Sequence, residues 1–359
     1  MTQAAFSHQN HNASFGQNIV QNHAQESGDL TWREPLLVAA QAGKLQGRLG
    51  CDVSLAAKSW FGVGGAADLL FRPQTRQDLQ SFLAILPAQV PLTILGATSN
   101  LLIRDGGIRG AVVRLGRDFA VIHHHPNAPG NIMAGGAALD VSVAEYAANL
   151  SVAGLEFLVG IPGSMGGAVA MNAGAFGGET KDILTAIEIM DRLGTVTHVT
   201  AKDLHMTYRH TDLPPDLANF IIIAAHLQGK LGDETAIRQK MTAIKQQRDA
   251  SQPLRSKTGG STFKNPASEA TAHLPADLKK AWQLINAAGC RGLRRGAAMV
   301  SDKHCNFLLN LGDSTASEIE ALGEEIRQRV LNKFSVDLEW EIKKLGEPLN
   351  ASAQKGGVS

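Results

Sequence analysis

Glycine is concentrated in one part of this 359-residue chain, and this concentration limits the folds that the chain can adopt. Of 37 glycines, 19 lie between Gly62 and Gly178. Glycine loses more conformational freedom on folding than any other residue, so a structural loop alone rarely needs so many. Short β-branched runs such as VPLTILG and GAVVRLG alternate with the glycine clusters. The pattern predicts an α/β region in which backbone loops approach a ligand closely.

Length and composition restrict the remaining classes of protein. The chain is longer than one compact core usually holds, so we expect two or three domains. A net charge of +1 gives no bulk electrostatic attraction to nucleic acid or to an anionic membrane. No apolar run reaches the roughly 18 residues that a membrane span needs, and the N-terminus lacks the features of a secretory signal. Three scattered cysteines, Cys51, Cys290 and Cys305, indicate free thiols in a reducing cytoplasm.

The order of sequence patterns along the chain predicts four regions. Residues 1–30 are rich in Asn, Gln, His and Ser with few apolar positions in phase, which predicts a disordered polar tail. The glycine-rich part, residues 31–225, is expected to form one domain of two subdomains that divide near residue 95. Residues 226–346 mix helical periodicity with short strand-like runs, so we predict a smaller α+β domain there. Residues 347–359 are expected to form a loose C-terminal tail.

Capping signals and apolar periodicity predict five helices in the two domains. Each carries apolar residues at helical spacing on one face, which is expected to pack against a core. The helices start near Thr75 and near Ser142, and cover about residues 233–248, 276–288 and 315–333.

Two further runs are interpreted by their periodicity. Residues 338–343 alternate between apolar and charged side chains, which predicts a strand with Glu341 on its solvated face. The run His123-His124-His125 resembles a metal-binding tract, but consecutive residues of an extended segment point to alternate faces, and Pro126 marks a turn. We therefore predict an exposed loop at the histidines and no metal site in the chain.

One glycine segment, residues 62–67, fits the GxGxxA spacing of a dinucleotide-binding turn. That fingerprint requires a strand before it and a helix directly after it. Here Lys58, Ser59 and Trp60 precede the glycines and strand-like residues follow them, so we do not interpret the segment as a dinucleotide site. The sequence contains no GxxxxGK[ST] phosphate loop either.

Two other glycine segments fit contact with a ligand more closely. Residues 95–102, LGATSNLL, follow an apolar run, and such a turn would present several backbone N–H groups to phosphate oxygens. An ordinary strand-to-turn connection is the simpler interpretation of these residues alone. Residues 160–168, GIPGSMGGA, continue to NAGA at 172–175, and a structural loop does not account for their glycine density. Close backbone contact with a flat or phosphorylated ligand does account for it.

The stretch GGSTFKNP, residues 259–266, places Ser261 after two glycines. No GxSxG elbow surrounds this serine, and no His or Asp stands at a recognisable triad spacing. If the segment is a strand, Ser261, Phe263 and Asn265 lie on one face and could meet the same ligand. The residues alone leave two interpretations equal. The hydroxyl either satisfies a turn or donates to a strongly basic carbanion or enolate that other groups stabilise.

Seven stretches in one order resemble a single protein family, the UDP-N-acetylenolpyruvoylglucosamine reductases, which are flavoenzymes of peptidoglycan precursor synthesis. The resemblance extends over about residues 48–346 and fits the shorter subtype of the family. It departs from the family pattern at Ser59, Gly62 and Trp340, none of which is a candidate catalytic residue. The seven stretches are SWFGVGGAADLLF, LGATSNLLIRDGG, GLEFLVGIPGSMGGAVAMNAGAFGGE, MTYRHTDL, KTGGSTFKNP, LINAAGCRGLRRGAAMVSDKHCNFLLN and LEWEIKKLG.

The resemblance implies an α+β fold. An FAD-binding module of the vanillyl-alcohol-oxidase type, with two subdomains, would be followed by a C-terminal α+β substrate domain. FAD would bind without a covalent bond across the turn after residue 95 and the loop after residue 159, and NADPH would be the reductant. The residues implied to bind FAD are Gly96, Ala97, Thr98, Ser99, Asn100, Leu101, Gly160, Ile161, Pro162, Gly163, Gly166, Gly167, Asn172 and Gly174.

The resemblance also implies the reaction. Hydride would pass from N5 of the flavin to C3 of the enolpyruvyl group of UDP-N-acetylglucosamine enolpyruvate, and Ser261 would give a proton to C2. Arg209 and Glu341 would lie at the substrate carboxylate and stabilise the enolic intermediate. A guanidinium can bind a carboxylate with two hydrogen bonds, whereas Glu341 would need a raised pKa to hold a proton there. The residues implied to contact the sugar nucleotide are Tyr208, Lys257, Asn265 and His304.

We therefore expect a cytoplasmic, NADP-linked oxidoreductase that acts on a small molecule, without nucleic acid, membrane insertion or an obligate protein partner. Two alternatives remain open: another flavoprotein of the same fold that oxidises a different alcohol or acid, and a nucleotide-binding module without catalysis. Neither glycine loop contains a histidine that could bond the flavin, which disfavours the first alternative. The second alternative predicts a colourless protein.

Overall fold

The computed structural model of the chain describes residues 29–212 and 220–349. Residues 1–28 of the predicted polar tail and residues 350–359 of the predicted C-terminal tail lie outside the described residues. The α-helices in the described ranges are α1 (Glu34–Gln41), α2 (Arg76–Ile85), α3 (Asp140–Asn149), α4 (Met165–Ala170), α5 (Glu234–Ser251), α6 (Ala281–Ala287) and α7 (Ala316–Phe334).

The strands are numbered in chain order. Those of the first half are β1 (Arg48–Ser54), β2 (Ala66–Arg72), β3 (Leu92–Ile94), β4 (Leu101–Ile103), β5 (Ile108–Val113), β6 (Ile122–His125), β7 (Ala128–Gly135), β8 (Val152–Ala153), β9 (Gly174–Ala175) and β10 (Gly178–Glu179). Those of the second half are β11 (Leu184–Met190), β12 (Val196–Thr200), β13 (His205–Thr207), β14 (His210–Asp212), β15 (Ile221–Gln228), β16 (Lys230–Leu231), β17 (Arg294–Arg295), β18 (Ala298–Val300), β19 (Leu308–Asn310) and β20 (Lys343–Leu345).

The first subdomain is built on a four-stranded sheet in the order β1-β2-β5-β3. Strand β1 runs antiparallel to β2, whereas β5 lies parallel to both β2 and β3. Helix α2 packs on this sheet, where the ring of Phe82 stacks on Phe71 with centroids 4.4 Å apart. The hydroxyl oxygen of Thr75 accepts a hydrogen bond from the N–H of Asp78 at 3.1 Å, so the predicted start of this helix is confirmed.

The second subdomain is a five-stranded antiparallel sheet in the order β12-β11-β15-β7-β6. Helices α3, α4 and α5 contribute to its core through apolar residues that solvent does not reach, such as Val143, Ala147, Met165 and Met241. Since α3 and α4 are both flanked by glycine-rich loops, this core fixes the position of the loops that the sequence marks as ligand contacts.

The C-terminal domain packs α6 and α7 against the three-stranded sheet β17-β18-β19. One face of α7 is fully buried, which confirms the predicted apolar stripe at Ile319, Leu322, Ile326 and Val330. Residues from the N-terminal half complete the same core, namely Phe61, Val63 and Leu102. The first subdomain and the C-terminal domain therefore share apolar contacts across a wide sequence separation.

The chain returns to the first subdomain at its end. Strand β20 lies parallel to β4 and pairs with it over three residues. Beyond β20, the N–H of Glu347 donates to the carbonyl of Gly107, and the carbonyl of Glu347 accepts from the N–H of Gly106, both at 2.9 Å. The structure therefore differs from the predicted loose tail at its first residue, because backbone hydrogen bonds fix position 347.

Two predicted domain boundaries also differ from the structure. The split near residue 95 falls inside the first sheet, because β5 pairs with both β2 and β3. The boundary between residues 225 and 226 falls inside β15. Helix α5 follows it and buries Ile237, Met241 and Ile244 in the core of the second subdomain. The C-terminal domain consequently begins after Ser251, where α5 ends.

Three local predictions are corrected as well. The run of histidines forms most of β6, not a loop, and Nδ1 of His124 lies 2.9 Å from the hydroxyl of Tyr146. Helix α3 begins at Asp140, two residues before the predicted start at Ser142. The helix predicted over 276–288 is shorter, because α6 starts only at Ala281.

The described residues were compared with the arrangements that metal sites and membrane spans require. In the described ranges, no cluster of three or more His, Cys, Asp and Glu side chains has the arrangement of a metal site. Among the helices given above, none combines the length and the apolar character that a membrane span requires.

A charged contact joins the first subdomain to the N-terminus of α7. Asp105 follows β4 and accepts hydrogen bonds from the N–H groups of Ala316 and Ser317, each at 2.8 Å. Next to it, Arg104 binds Glu320 of α7 through two nitrogens at 2.9 and 2.8 Å. Since the first N–H groups of a helix have no partner within the helix, Asp105 acts as a cap supplied by another domain.

We expect Asp105→Ala to destabilise the protein by about 1–2 kcal/mol, the usual cost of a lost helix cap. Urea denaturation followed by circular dichroism measures the change. Asp313→Ala is a matched control, since Asp313 precedes the same helix but its side chain makes no hydrogen bond within the described residues. Equal unfolding midpoints for the two variants would contradict the capping role.

Candidate active site

A buried ion pair between Arg209 and Glu341 joins the second subdomain to the C-terminal domain. Nε of Arg209 donates to Oε1 of Glu341 at 2.7 Å, and Nη2 donates to the carbonyl of Gly174 at 2.8 Å. The two side chains are only 17% and 12% exposed. Arg209 lies in the turn between β13 and β14 and has a left-handed φ of 56°, which a non-glycine residue adopts only where its surroundings require it.

The environment of Glu341 favours its neutral form. Burial raises the pKa of this carboxyl group, although the guanidinium of Arg209 acts in the opposite direction. Its second oxygen, Oε2, has no hydrogen-bond partner in the described part of the chain. The group can therefore retain a proton when a further carboxylate comes close to it.

Ser261 lies beside the segment that carries Glu341. The N–H of Glu341 donates to the carbonyl of Thr262 at 2.8 Å, and Phe263 pairs with Trp340 in an isolated bridge. The Ser261 side chain is half-buried, and its hydroxyl has no hydrogen-bond partner among residues 29–212 and 220–349. The structure thus brings together the three residues that the resemblance implies to be catalytic.

The segment around Ser261 is not the regular strand that its sequence predicts. Ser261 pairs with Phe307, whereas Phe263 pairs with Trp340, so the two residues have different partner segments. Asn306 holds Phe263 in place, because its side chain accepts from the N–H at 3.0 Å and donates to the carbonyl at 2.8 Å. Phe263 is therefore 1% exposed in the core and does not share a ligand-facing surface with Ser261.

The turn at residues 96–101 binds the same segment from the other side. Nδ2 of Asn100 donates to the carbonyl of Glu341 at 3.0 Å, and the carbonyl of Asn100 accepts from the N–H of Lys343 at 3.0 Å. Thr98 has a φ of 60° and donates its hydroxyl to the carbonyl of Lys58 at 2.7 Å. The side chains of Thr98 and Asn100 therefore stabilise the turn itself, which leaves its backbone to face a ligand.

The two predicted cofactor loops meet at Ser164. A Cβ added to Gly96 would lie 2.7 Å from Oγ of Ser164, so only glycine permits this approach. At Gly163 an added Cβ would lie 2.5 Å from Oδ2 of Asp140, whereas at the exposed Gly167 it would meet no atom closer than 3.7 Å. The loops are packed tightly against each other but leave open space along Gly167.

This arrangement fits the cofactor that the resemblance implies. The hydroxyl of Ser164 is buried without a hydrogen-bond partner between the two loops, and buried polar groups normally have one. A phosphorylated, flat ligand along the loops would supply polar atoms to this region and would fill the space beside Gly167. The residues that would hold FAD are therefore the backbone of the 96–101 turn and the start of α4.

Three residues of the predicted cofactor set make structural contacts within the protein. An added Cβ at Gly160 would lie 2.5 Å from the ring of Phe176, so this glycine allows close packing. The carbonyl of Gly174 binds Arg209. Asn172 is fully buried, and its amide group bonds to Glu179 and to the backbone of residues 181 and 207. The polar side-chain atoms of Asn172 therefore already have protein partners, and a cofactor contact by this residue stays a prediction.

The predicted substrate contacts lie on two sides of Ser261. The ring of Tyr208 stacks under the guanidinium of Arg209, with Cζ of Arg209 4.9 Å from the ring centroid. Lys257 extends along Gly62, where an added Cβ would be 2.9 Å from its Cδ. The remaining two residues, Asn265 and His304, lie towards α6: Oδ1 of Asn265 accepts from the N–H of Ala281 at 3.1 Å, and His304 lies in a group of aromatic rings.

Sequence reasoning missed Asp140 and Ser164 as members of this region. Ser164 stands inside the glycine loop, so its position in GIPGSMGGA was a usable signal. Asp140 has no such signal, because an aspartate at the start of a helix is normally solvated. Here it is fully buried, neither oxygen has a partner, and burial raises its pKa well above the usual value.

We expect Asp140→Asn to stabilise the protein increasingly as pH rises. The folded state keeps the Asp140 proton at pH values where the unfolded chain has lost it, since the folded pKa is the higher one. Folding stability therefore falls from about pH 4 upward by up to about 1.4 kcal/mol per pH unit, until the pH reaches the folded pKa. Asparagine cannot ionise, so the two proteins should differ at pH 7 and converge below pH 4.

Urea denaturation at a series of pH values measures this difference. Asp78→Asn is the contrasting variant, because the two oxygens of Asp78 accept backbone N–H bonds from Gln46 and Gln74, while its own N–H donates to the hydroxyl of Thr75. The Asp78→Asn variant should be less stable than the wild type at neutral pH. A stability difference between the wild type and Asp140→Asn that does not change with pH would contradict the buried neutral carboxyl.

Gly167→Ala is expected to weaken FAD binding at least about tenfold, or about 1.4 kcal/mol, without lowering the stability of the cofactor-free protein. Its methyl group meets no protein atom closer than 3.7 Å but would occupy the space beside the loop. Gly166→Ala should instead destabilise the protein itself, because its Cβ would lie 2.9 Å from the carbonyl of Gly136. Flavin fluorescence titration and thermal unfolding separate the two effects. Unchanged FAD affinity in Gly167→Ala would exclude this loop as a cofactor contact.

Comparisons with known proteins agree with this geometry. A family profile described as an FAD binding domain matches residues 67–200, and one described as the C-terminal domain of UDP-N-acetylenolpyruvoylglucosamine reductase matches residues 252–345. The second match begins directly after α5, where the structure starts the C-terminal domain. FAD as the cofactor and the α+β fold, with an FAD-binding domain followed by a C-terminal domain, are thereby confirmed.

Individual relatives give the same result over most of the chain. UDP-N-acetylenolpyruvoylglucosamine reductase of Acidiphilium cryptum is 50% identical over 310 residues, which are 86% of this chain and 95% of that protein. The enzyme of Parvibaculum lavamentivorans is 50% identical over 303 residues, 84% of this chain and 93% of that protein. The crystal structure of the reductase from Thermus caldophilus superposes with a TM-score of 0.69 at 32% identity, over 84% of this chain and all of that one. The chain therefore belongs to the UDP-N-acetylenolpyruvoylglucosamine reductase family and is an oxidoreductase.

Proposed function

We propose that this enzyme uses NADPH to reduce the enolpyruvyl group of UDP-N-acetylglucosamine enolpyruvate, which yields UDP-N-acetylmuramate for peptidoglycan synthesis. The observation that supports this most directly is the buried Arg209–Glu341 pair beside the unpartnered hydroxyl of Ser261. A carboxylate-binding cation, a neutral acid and a second proton donor are the groups that such a reduction needs. FAD, when bound, supplies the hydride for C3 after taking it from NADPH.

Arg209 is proposed to bind the carboxylate of the substrate. Its Nε and Nη2 are used within the protein, but Nη1 has no hydrogen-bond acceptor in the described ranges. A guanidinium that is already fixed by two hydrogen bonds loses little side-chain entropy when it binds a ligand. Positive charge at this position offsets the negative charge that grows towards the carboxylate as the double bond is reduced.

Glu341 is proposed to act in its protonated form. A substrate carboxylate beside it adds a like charge to a site where burial already raises the pKa of Glu341. The neutral carboxyl can then donate a hydrogen bond through Oε2 to the enolic oxygen. It stabilises the intermediate without having to transfer its proton to carbon.

Ser261 is proposed to deliver the proton to C2. Serine is a weak acid, so it donates only to a strongly basic centre, and an enolate carbon beside Arg209 and Glu341 is such a centre. No catalytic base is needed for this role, which agrees with the absence of a triad in the sequence. The free hydroxyl in the described structure is available for this hydrogen bond.

We also infer that the enzyme works in the cytoplasm on small molecules, without nucleic acid, membrane insertion or an obligate protein partner. The near-neutral net charge of +1 supports the inference that the enzyme does not act on nucleic acid. The cysteines support the cytoplasmic location: Cys290 and Cys305 are buried and unpaired, as expected for a reducing compartment.

Ser261→Ala tests the proton transfer. We expect the NADPH half-reaction, followed by bleaching of the flavin band in a stopped-flow instrument, to remain within a few-fold of the wild type. Reoxidation by the enolpyruvyl sugar nucleotide should slow by about 10²–10⁴-fold, the range of general acid catalysis.

Ser261→Cys is the rescue variant, since a thiol can also donate a proton, and it should recover part of the second half-reaction. Equal slowing of both half-reactions in Ser261→Ala would indicate structural damage and would count against the serine as donor. A wild-type protein that binds no flavin, or that oxidises NADPH at the same rate with and without the sugar nucleotide, would overturn the proposed function as a whole.

A further inference from the structure

An exposed tryptophan next to the site has no role in the function described so far. Trp282 lies in the first turn of α6 and is 38% exposed. Its ring centroid is 6.2 Å from that of His304, and His304 is in turn 4.9 Å from Phe307 in an edge-on arrangement. The three rings form a continuous row, which we call the ring row.

The ring row connects directly to the catalytic serine. Phe307 pairs with Ser261 in a backbone bridge, so one end of the row lies at the proton donor. At the other end, Asn265 binds the N–H of Ala281, the residue before Trp282. Trp282 therefore stands between two residues, Asn265 and His304, that the family resemblance implies to contact the sugar nucleotide.

His304, in the middle of the row, presents a hydrogen-bond donor. Its Nδ1 accepts from the N–H of Asn306 at 3.3 Å, which places the ring hydrogen on Nε2. Burial lowers the pKa of His304, and nearby Arg291 lowers it further, so the ring is neutral at pH 7. The Nε2–H group has no acceptor in residues 29–212 and 220–349.

A guanidinium lies on the same side of α6. Asn286 is four residues after Trp282 and therefore lies on the same helix face, one turn away. Its Oδ1 accepts from Nε of Arg291 at 2.9 Å. The exposed indole of Trp282 thus has beside it the N–H donor of His304 and, one turn along α6, the guanidinium of Arg291 held by Asn286, a combination that suits a planar base joined to phosphate groups.

We propose that Trp282 is the platform on which the uracil ring of the UDP-sugar stacks, with His304 and Arg291 beside its diphosphate. The assignment rests on the proposed function, because it takes the substrate to be a uridine nucleotide. In such a substrate the reacting enolpyruvyl group and the base lie at opposite ends. The ring row starts at Ser261 and ends at Trp282, so it has the polarity that an extended sugar nucleotide requires.

Isothermal titration calorimetry of the FAD-loaded protein with UDP tests the platform. Stacking of a base on an aromatic side chain is worth about 1–3 kcal/mol, so Trp282→Leu should weaken UDP binding about 5–150-fold. Trp282→Phe keeps an aromatic ring, so its UDP affinity should fall by less than about fivefold. Pyrophosphate should bind Trp282→Leu and the wild type equally, because it has no base.

Leu331→Ala is the control, since Leu331 is exposed to a similar degree, 39%, on another helix of the same domain. It should leave UDP affinity unchanged. Equal UDP affinity of Trp282→Leu and the wild type would overturn the platform, as would a parallel loss for UDP and pyrophosphate.

The outcome separates this inference from the proposed function. If wild-type protein consumes NADPH only when the enolpyruvyl sugar nucleotide is present, yet Trp282→Leu keeps its UDP affinity, only the platform fails. If the wild type neither binds UDP nor responds to the sugar nucleotide, the proposed function fails and the platform fails with it. In steady-state assays the platform predicts a higher KM for the sugar nucleotide in Trp282→Leu that Trp282→Phe largely restores.

Discussion

The buried contact between Arg209 and Glu341 is the constraint on which the site depends. The two residues are 132 positions apart, and each brings a side chain that would be costly to bury alone. Removal of one partner of a buried pair typically costs about 3–5 kcal/mol, because the other charge loses its compensation. The two domains must therefore be placed closely enough for Nε and Oε1 to meet at 2.7 Å.

Hydrogen bonds from three segments hold Arg209 and Glu341 in this position. Thr262 accepts from the N–H of Glu341, and Asn100 donates to its carbonyl. Gly174 fixes Arg209 from the second subdomain. The 96–101 turn and the loop at Gly174 are thus parts of the same hydrogen-bond network that orients the carboxyl group of Glu341.

The sequence predicts the local structure well where the signal itself is local. The apolar stripe of α7 and the cap at Thr75 depend on residues within one or two turns, and both are confirmed. The alternation in residues 338–343 is confirmed only for Leu338 and Ile342, which are buried; Glu341, predicted on the solvated face, is 12% exposed, and the strand begins only at Lys343. These features follow from helical or strand periodicity and need no knowledge of distant segments.

What the sequence could not predict depends on long-range partners. Asn172 stands in a glycine-rich loop and has the chemistry of a ligand contact, but its amide is used by segments up to 35 residues away. The domain boundary after Ser251 depends on which core receives the apolar face of α5, and periodicity gives the face but not its partner. Asp140 could be recognised as unusual only once Gly163 is packed against it. The resemblance to the family picks out Arg209, Ser261 and Glu341 as candidates, whereas their proximity is a property of the fold.

The parallel pair of β4 and β20 has a consequence for how the protein is made. The turn that faces the cofactor leads directly into β4, whose partner is among the last strands to leave the ribosome. Loop closure over so many residues is slow compared with local helix formation. The N-terminal half can form its two sheets during synthesis, but this edge stays open until the C-terminal domain has been completed. The 96–101 turn and the segment of Glu341 are consequently brought together late, and a chain that stops short of β20 lacks the strand that pairs with β4.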